Sequence, residues 1–356
     1  MTSDTVLRPS GADQGGPRRS RPRPTLGRLW ETWGITVVLI ALLALSPLIA
    51  PDFLTQANLQ SVLRESAYLG IVAAGMTFAI MNGTFDLSVG GQLALVSVAT
   101  LAGFSAGGTL LAVAAAVATG VGCGLVNGAL VTALRVPPFV ATLGMLFVFR
   151  GIAYIFTQDG PKTLPYDQAD SSFVKIGSLN LAGIPVPFVI MLAVYAAAWV
   201  VLRRTTTGRQ VVAFGSSPEA ARFCGVSATR VRLFVFTLVG LCVGIAALTY
   251  VTRVWTADGS AQDGFELSVI TVVVLGGTSL KGGKGTLIGT FSAVLLVAVL
   301  NDILVSQGVG ASYQRIVLGT VLITALAIDG LRTRFAAPGS FRRAVLRRST
   351  EVRSSS

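Results

Sequence analysis

Apolar segments long enough to cross a bilayer alternate with short polar connections along most of the chain. A spanning helix needs about 20 predominantly apolar residues. The pattern predicts about ten such helices, near 33–50, 65–82, 87–104, 109–134, 138–157, 185–202, 232–252, 267–280, 286–304 and 313–331. Two are poorly delimited, because 267–280 is short and 109–134 is long and rich in glycine, and both are candidates for broken, tilted or re-entrant helices. The pattern predicts an all-α integral membrane protein, a polytopic bundle of transmembrane helices.

Composition supports lipid as the solvent of this chain. The 356 residues are 52% hydrophobic and 12% charged, whereas soluble domains are roughly 25% charged, and the mean hydropathy is +0.71. The absence of histidine excludes imidazole catalysis, Ser-His-Asp triads and histidine-ligated metals. Three cysteines make no disulfide framework. We therefore expect no catalytic, metal or cofactor site in this chain.

The formal net charge of +12 comes mainly from the two ends of the chain. Residues 1–30 and 332–356 hold 13 of the 28 Lys and Arg residues. The segment 1–30 has no periodic pattern of apolar residues, and no signal-peptidase cleavage site follows it. It is therefore interpreted as a disordered basic tail and not as a signal peptide. Residues 332–356 form a second basic tail, and 31–331 form the membrane domain. Neither tail shows the interleaving of aromatic with basic residues, or the folded basic face, of a nucleic-acid surface, and we expect no nucleic-acid partner.

Basic residues also orient the helices. With both termini in the cytoplasm, 22 of the 28 basic residues lie on the cytoplasmic side, as the positive-inside rule requires. Arg203, Arg204 and Arg209 lie close to the end of a predicted helix and agree with this orientation. The charge distribution predicts an even number of spans in the cell membrane with both termini cytoplasmic.

Two short patterns bear on how the helices are arranged. Residues 85–89 read Phe-Asp-Leu-Ser-Val and residues 265–269 read Phe-Glu-Leu-Ser-Val. Each opens a predicted span, five spans apart, which is the spacing of an inverted repeat of the kind found in transporters. Separately, Gly120, Gly124 and Gly128 recur every fourth residue and predict close helix packing, within the bundle in preference to a dimer interface.

Several polar features invite a functional interpretation. Asp86 and Glu266 are expected at opposite membrane edges as helix caps, with Ser88 behind the first, and Arg150 is expected to pair with an acid or to extend to the interface. Asp302 and Arg315 are further charges inside or bordering predicted spans. The glycine-rich run 276–286 lacks the spacing of a Walker A motif, so we expect no ATP site there.

The polar segment 203–231 predicts a short helix between two spans. Ser217 is a good N-cap, Pro218 suits the first helical position, Glu219 complements the helix dipole and Gly225 can end the helix. A helix of two turns is too short to be stable alone in water. It is therefore either an ordinary capped loop helix or an element held by another protein.

Five motifs in order carry a resemblance to a known family. They are residues 74–77 with 86–90, 136–145, 149–151, 207–209 with 213–221, and 274–286. Over about 35–331 the chain resembles the membrane permease subunits of ABC importers of the ribose, xylose, arabinose and galactose type. The resemblance assigns translocation motifs to Asp86, Ser88, Gly90, Pro137, Pro138, Thr142, Arg150, Gly276, Gly277, Thr278 and Ser279. The stretch 82–85 and the triplet Ser216-Ser217-Pro218 depart from the family pattern.

The resemblance implies a permease homodimer in the lipid bilayer, a cytoplasmic ABC ATPase and an external sugar-binding protein. ATP and Mg would be bound by the ATPase, with no cofactor in this chain. The loop 203–231 would be the coupling segment, whose assigned residues are Gly208, Arg209, Gly215, Ser216, Ser217, Pro218, Glu219, Ala220, Ala221 and Gly225. We expect both Gly215 and Glu219 at the ATPase interface.

Alternative functions remain open at this point. The same architecture could carry nucleosides, branched-chain amino acids or a signalling furanose, although the 86–90 motif favours a sugar. An ion-coupled secondary transporter would need a charged site in mid-membrane, and the acids are predicted near span ends. A membrane enzyme is disfavoured by the lack of histidine and of paired carboxylates in the spans.

Overall fold

The computed structural model describes residues 26–335, and helices dominate this part of the chain. The α-helices are α1 (Leu26–Ile49), α2 (Gln56–Met81), α3 (Val89–Thr132), α4 (Pro138–Thr157), α5 (Ser172–Ser178), α6 (Val186–Arg204), α7 (Thr206–Ser216), α8 (Pro218–Phe223), α9 (Ala228–Val254), α10 (Phe265–Leu275), α11 (Leu287–Ser306) and α12 (Ala311–Phe335). A 3₁₀ turn covers Tyr166–Gln168. The strands are β1 (Lys162–Thr163), β2 (Asn180–Leu181), β3 (Ile184–Pro185) and β4 (Thr256–Ala257).

Five of the described helices, α3, α4, α6, α9 and α11, are long and apolar enough to cross a membrane. Helix α4 has the bounds predicted for it, whereas α2 begins nine residues before the predicted 65–82. The spans predicted at 87–104 and 109–134 are joined in α3, which is interrupted by the non-helical Gly107 and Gly108. Helix α1 begins at Leu26, within the segment assigned to the N-terminal tail. The rest of that tail, and the C-terminal tail beyond residue 335, lie outside the described residues.

The all-α bundle is confirmed, and the structure adds four strands of two residues each in its connections. β1 pairs with β4 antiparallel, with Lys162 opposite Ala257, and β2 pairs with β3. Ala182 and Gly183 join β2 to β3 with φ of 49° and 83°. Two consecutive residues with positive φ are typical of the tight turn that matches strand twist. The connection between α4 and α6 is therefore a small folded unit and not a bare loop.

Helices α2 and α9 lie at the centre of the bundle, and α3 packs along α9. An added Cβ on Gly120 would overlap the carbonyl oxygen of Gly240, and one on Gly124 would overlap that of Phe236. An added Cβ on Gly128 would overlap the side chain of Leu233. The small-residue stripe thus lets two backbones touch within the chain, which confirms the prediction that it serves packing inside the bundle.

Helix α2 links the two ends of the bundle. Near its start, Gln60 accepts a hydrogen bond from Asn180 (3.0 Å) in the 158–185 connection, and at its end the Met81 carbonyl accepts one from Gly283 N (2.8 Å). At 1.5 Å per residue, α2 is about 39 Å long and α10, with 11 residues, about 16 Å. Because α10 leads into the glycine-rich run at the Met81 end, its N-terminus lies inside the bundle. Helix α10, with 11 residues, is shorter than the span predicted at 267–280.

The glycine contacts between α3 and α9 predict a sharp contrast between two neighbouring glycines. Gly124→Ala should lower the free energy of unfolding by roughly 1–3 kcal/mol, because the new methyl overlaps the Phe236 carbonyl. Gly122, which has no atom near its added Cβ, is the matched control, and Gly122→Ala should be neutral or slightly stabilising. Thermal unfolding of the purified proteins in detergent measures both, and equal midpoints would contradict the packing described.

Candidate functional site

The first turns of α3 and α10 meet inside the bundle. An added Cβ on Gly90, in the first turn of α3, would overlap the carboxylate of Glu266, in the first turn of α10. The same position lies 3.3 Å from Nη2 of Arg150 on α4. The two similar stretches 85–89 and 265–269 therefore lie at helix starts that approach each other. We call this contact of Gly90, Glu266 and Arg150 the half-helix contact.

Asp86 is fully buried beside the start of α3. Its carboxylate accepts hydrogen bonds from Ser88 N (2.9 Å), Ser88 Oγ (2.6 Å), Gln92 Nε2 (3.0 Å) and Asn127 Nδ2 (3.2 Å). A buried carboxylate is tolerated when such donors replace water. The expectation that Asp86 caps the helix is wrong, because Ser88 holds the N-cap position and Asp86 lies two residues earlier.

Asn127 is a residue of this candidate site that the sequence interpretation missed. It lies in the second half of α3, is fully buried, and also donates to Ser88 Oγ (2.7 Å). Its amide therefore ties the second half of α3 to the turn that starts the first half. The side-chain amide of Asn127 lies between Gly124 and Gly128 in a mainly apolar segment, and such a group is costly in lipid unless it has a hydrogen-bond partner. This cost is the sequence signal that could have identified Asn127.

Arg150 pairs with Asp263, which confirms that it takes an acidic partner. Asp263 lies in the connection that leads into α10, and no sequence pattern singled it out. Glu266 is the second residue of α10, behind a Gly264 N-cap with φ of 81°, so it is not the cap that we expected. Within residues 26–335, Glu266 Oε2 and Arg150 Nη2 are buried without hydrogen-bond partners.

The proline motif fixes the start of α4. Pro138 opens the helix and Pro137 precedes it as the N-cap. The buried Thr142 hydroxyl donates to the Pro138 carbonyl (2.9 Å) and reaches the Phe85 carbonyl (3.5 Å). Thr142 thus links the start of α4 to the segment that precedes α3.

The glycine-rich run forms a compact turn between α10 and α11. Gly276 ends α10, and its added Cβ would overlap the Thr290 amide. Gly277 follows with φ of 88°. The turn is closed by Ser279 N, which donates to the Lys284 carbonyl (3.0 Å), while Thr278 is buried. Glycine is needed here for close approach and for positive φ, so these residues serve the turn.

Helices α7 and α8 form the polar segment between α6 and α9. Thr205 Oγ1 accepts from Gly208 N (3.1 Å) to cap α7, and Ser217 Oγ accepts from Ala220 N (3.4 Å) to cap α8. Gly225, with φ of 81°, follows the end of α8. The short helix, its Ser217 cap and its Pro218 start are as predicted. Helix α7, which the sequence did not delimit, precedes it.

The residues assigned to this segment divide into two groups. Gly208 and Ala221 are buried within the chain. The second group is exposed to solvent and consists of Arg209, Ser216, Ser217, Pro218, Glu219, Ala220 and Gly225. Phe223, at the end of α8, is 93% exposed and is the large apolar side chain of this surface. The exposed face of α8, with Glu219 and Phe223, is named the α8 face.

Gly215 is half-buried, and the side of α7 on which it lies faces the end of α2. Its added Cβ would overlap the Met81 carbonyl and lie 2.9 Å from Gly283 N. Since Gly283 N also donates to that carbonyl (2.8 Å), the end of α7, the end of α2 and the glycine-rich turn converge on one point. We call the contact of Gly215, Met81 and Gly283 the glycine junction.

Comparison with known proteins agrees with a multi-pass membrane permease. The family model described as "Branched-chain amino acid transport system / permease component" matches residues 58–326. The ribose import permease protein RbsC of Escherichia coli K12 is 37% identical over 82% of this chain and 92% of its own. The probable ABC transporter permease protein YphD of the same organism is 36% identical over 85% and 90%.

The L-arabinose transport system permease protein AraH of Escherichia coli K12 is 33% identical over 90% of this chain and 96% of its own. No solved structure matches significantly. The chain is a permease subunit that crosses the membrane several times. It belongs to the branched-chain amino acid transport system permease component family, which is a family of ABC transporter permeases.

The carboxylate network predicts the effect of removing its acceptor. Asp86→Ala leaves the buried donors of Ser88, Gln92 and Asn127 unpaired, and the free energy of unfolding should fall by roughly 2–3 kcal/mol. Asp86→Asn keeps the shape of the side chain and one acceptor oxygen, so its free energy of unfolding should fall by less than that of Asp86→Ala. Thermal unfolding of both purified variants measures the difference. If Asp86→Ala is as stable as the natural protein, the network does not hold α3.

Proposed function

We propose that this chain is the membrane-spanning subunit of an ABC importer that carries a monosaccharide across the cell membrane. Its similarity to permeases named for ribose and L-arabinose supports the cargo class. The observation that carries the mechanism is the link between a solvent-exposed short helix and the bundle interior. The α8 face is exposed, and α7 joins it to the glycine junction.

The topology that we infer has ten spans, with α3 contributing two, and places both termini in the cytoplasm. The end of the bundle that holds α7, α8 and the glycine junction is then cytoplasmic. Basic residues gather there, as the positive-inside rule requires. They are Arg203, Arg204, Arg209, Arg222, Arg230, Arg232, Lys281 and Lys284.

The α8 face is proposed to bind a cytoplasmic ATPase, which would bind ATP and Mg. A helix of six residues does not hold its own shape in water, and an aromatic side chain exposed as fully as Phe223 is typical of a residue that enters a partner's pocket. The folded connection 158–185 at the opposite end is proposed to face the external sugar-binding protein. Two copies of the chain are proposed to form the transmembrane unit.

Motion of the ATPase would reach the bundle through the glycine junction. Gly215 touches the end of α2, which leads through 82–88 to α3, and the turn of Gly283, which leads back to α10. Helices α3 and α10 are the two that meet at the half-helix contact. We infer that ATP-driven displacement of α7 and α8 moves α3 and α10 together, which provides alternating access.

Transport in a reconstituted system tests this function. Proteoliposomes that hold the permease, its ATPase and its binding protein should take up D-ribose, L-arabinose or another monosaccharide from a labelled panel, and vanadate should stop uptake. Dissipating ion gradients should have no effect. Uptake of leucine or a nucleoside instead of any sugar would overturn the proposed cargo, and uptake that follows an ion gradient would overturn the energy source.

The α8 face predicts a selective loss of ATPase binding. Phe223→Ala should reduce copurification of the ATPase and coupled ATP hydrolysis by roughly tenfold or more, because an anchoring aromatic contributes 2 kcal/mol or more to an interface. Tyr166, 88% exposed in the 158–185 connection, is the matched control, and Tyr166→Ala should leave ATPase binding unchanged. Equal copurification by both variants would refute α8 as the binding helix.

A further inference from the structure

A large cavity opens between α2, α10, α11 and α12, and nothing in the motifs above accounts for it. Its volume is about 810 Å³, within the range of small-molecule sites. The polar side chains that line it come from four elements and from the connection before α10. Those used in the argument are Glu65, Tyr68, Gln262, Glu266, Asn301 and Arg315.

The lining combines hydrogen-bond donors with acceptors. The amides of Gln262 and Asn301 offer both, the carboxylates of Glu65 and Glu266 accept, and Arg315 donates. A molecule with many hydroxyl groups, each of which both donates and accepts, matches such a wall. A long apolar side chain would leave these polar groups without partners, at a cost for each.

Glu266 differs from the other acids of the cavity. Glu65 lies 3.7 Å from Arg253, and Asp263 pairs with Arg150. Among the described residues Glu266 has no ion-pair partner within 4.0 Å, and its Oε2 is buried without a hydrogen bond. A carboxylate in this state gains short, charge-assisted bonds from hydroxyl groups.

One wall of the cavity is aromatic. The ring of Tyr68 lies 5.9 Å from that of Phe265 and 5.5 Å from that of Tyr250. This cluster holds Tyr68 in place, so its ring is a rigid surface with a polar hydroxyl at one end. A sugar ring has the matching character, because its C–H face is apolar and its edge carries hydroxyls.

We propose that this cavity holds a neutral monosaccharide on its way through the permease, with Glu266 accepting hydrogen bonds from its hydroxyl groups and Tyr68 against its ring. The site reaches the half-helix contact, since Glu266 also lies against Gly90. This inference rests on the proposed function, and it adds that the permease itself contacts and selects its cargo.

The test uses the complete transporter in proteoliposomes with labelled D-ribose and L-arabinose. Glu266→Gln should lower Vmax/KM for the transported sugar by roughly tenfold or more, the usual effect of losing a hydrogen bond to a charged group. It should also change the ratio of rates between the two sugars, which damage to the fold alone would not do. Asn301→Leu, on a different helix, should also lower Vmax/KM and change the ratio of rates. This second variant keeps the test valid if the Glu266→Gln transporter does not assemble.

The matched control is Asp302→Asn. Asp302 lies one residue from Asn301 but lines a separate cavity, where it accepts a hydrogen bond from Asn58 (2.7 Å), and its variant should transport both sugars as the natural protein does. If the natural transporter moves a sugar while Glu266→Gln and Asn301→Leu keep its rate and selectivity, the site is refuted and the proposed function stands. If the natural transporter moves no sugar, the proposed function itself has failed.

Discussion

The close approach of three backbones at the glycine junction is the constraint on which the arrangement of the bundle depends. Gly215, Met81 and Gly283 come from segments far apart in the sequence, and the space between them has no room for a side chain on Gly215. A hydrogen bond of 2.8 Å between Gly283 N and the Met81 carbonyl closes the contact. Packed interiors transmit displacement because they contain few voids, so α7 cannot move without moving α2 or the glycine-rich turn.

Irregular backbone within a membrane bundle requires internal partners, and the segments around this junction have them. The connection 82–88 contains Asp86, and Ser88, Gln92 and Asn127 surround its carboxylate. The run 276–286 closes on itself through Ser279 and Lys284. Buried backbone polar groups need hydrogen-bond partners within the protein. Both interruptions thus have hydrogen bonds within the chain.

Hydropathy alone predicts most of the helices, since the length of a span is dictated by the thickness of the bilayer. The start of α4 at Pro138 and the cap of α8 at Ser217 follow from local chemistry and were predictable for the same reason. The glycine junction was not, because a glycine that permits close approach has the same local signature as one in a loop. Asp86 was wrongly predicted as a helix cap because no local pattern shows that Asn127, 41 residues away, donates to it.

Half-helix α10 connects the two functional regions mechanically. Gly276 fixes its C-terminal end against the start of α11, and Glu266 lies in its first turn, where it meets both Gly90 and the cavity. A helix of about 16 Å with no internal proline or glycine behaves as a rod. A shift of the glycine-rich turn at one end therefore repositions Glu266 at the other. In the proposed importer, the same short helix would carry the ATPase's motion inward and present the carboxylate to the cargo, so coupling and cargo contact would change in a single step.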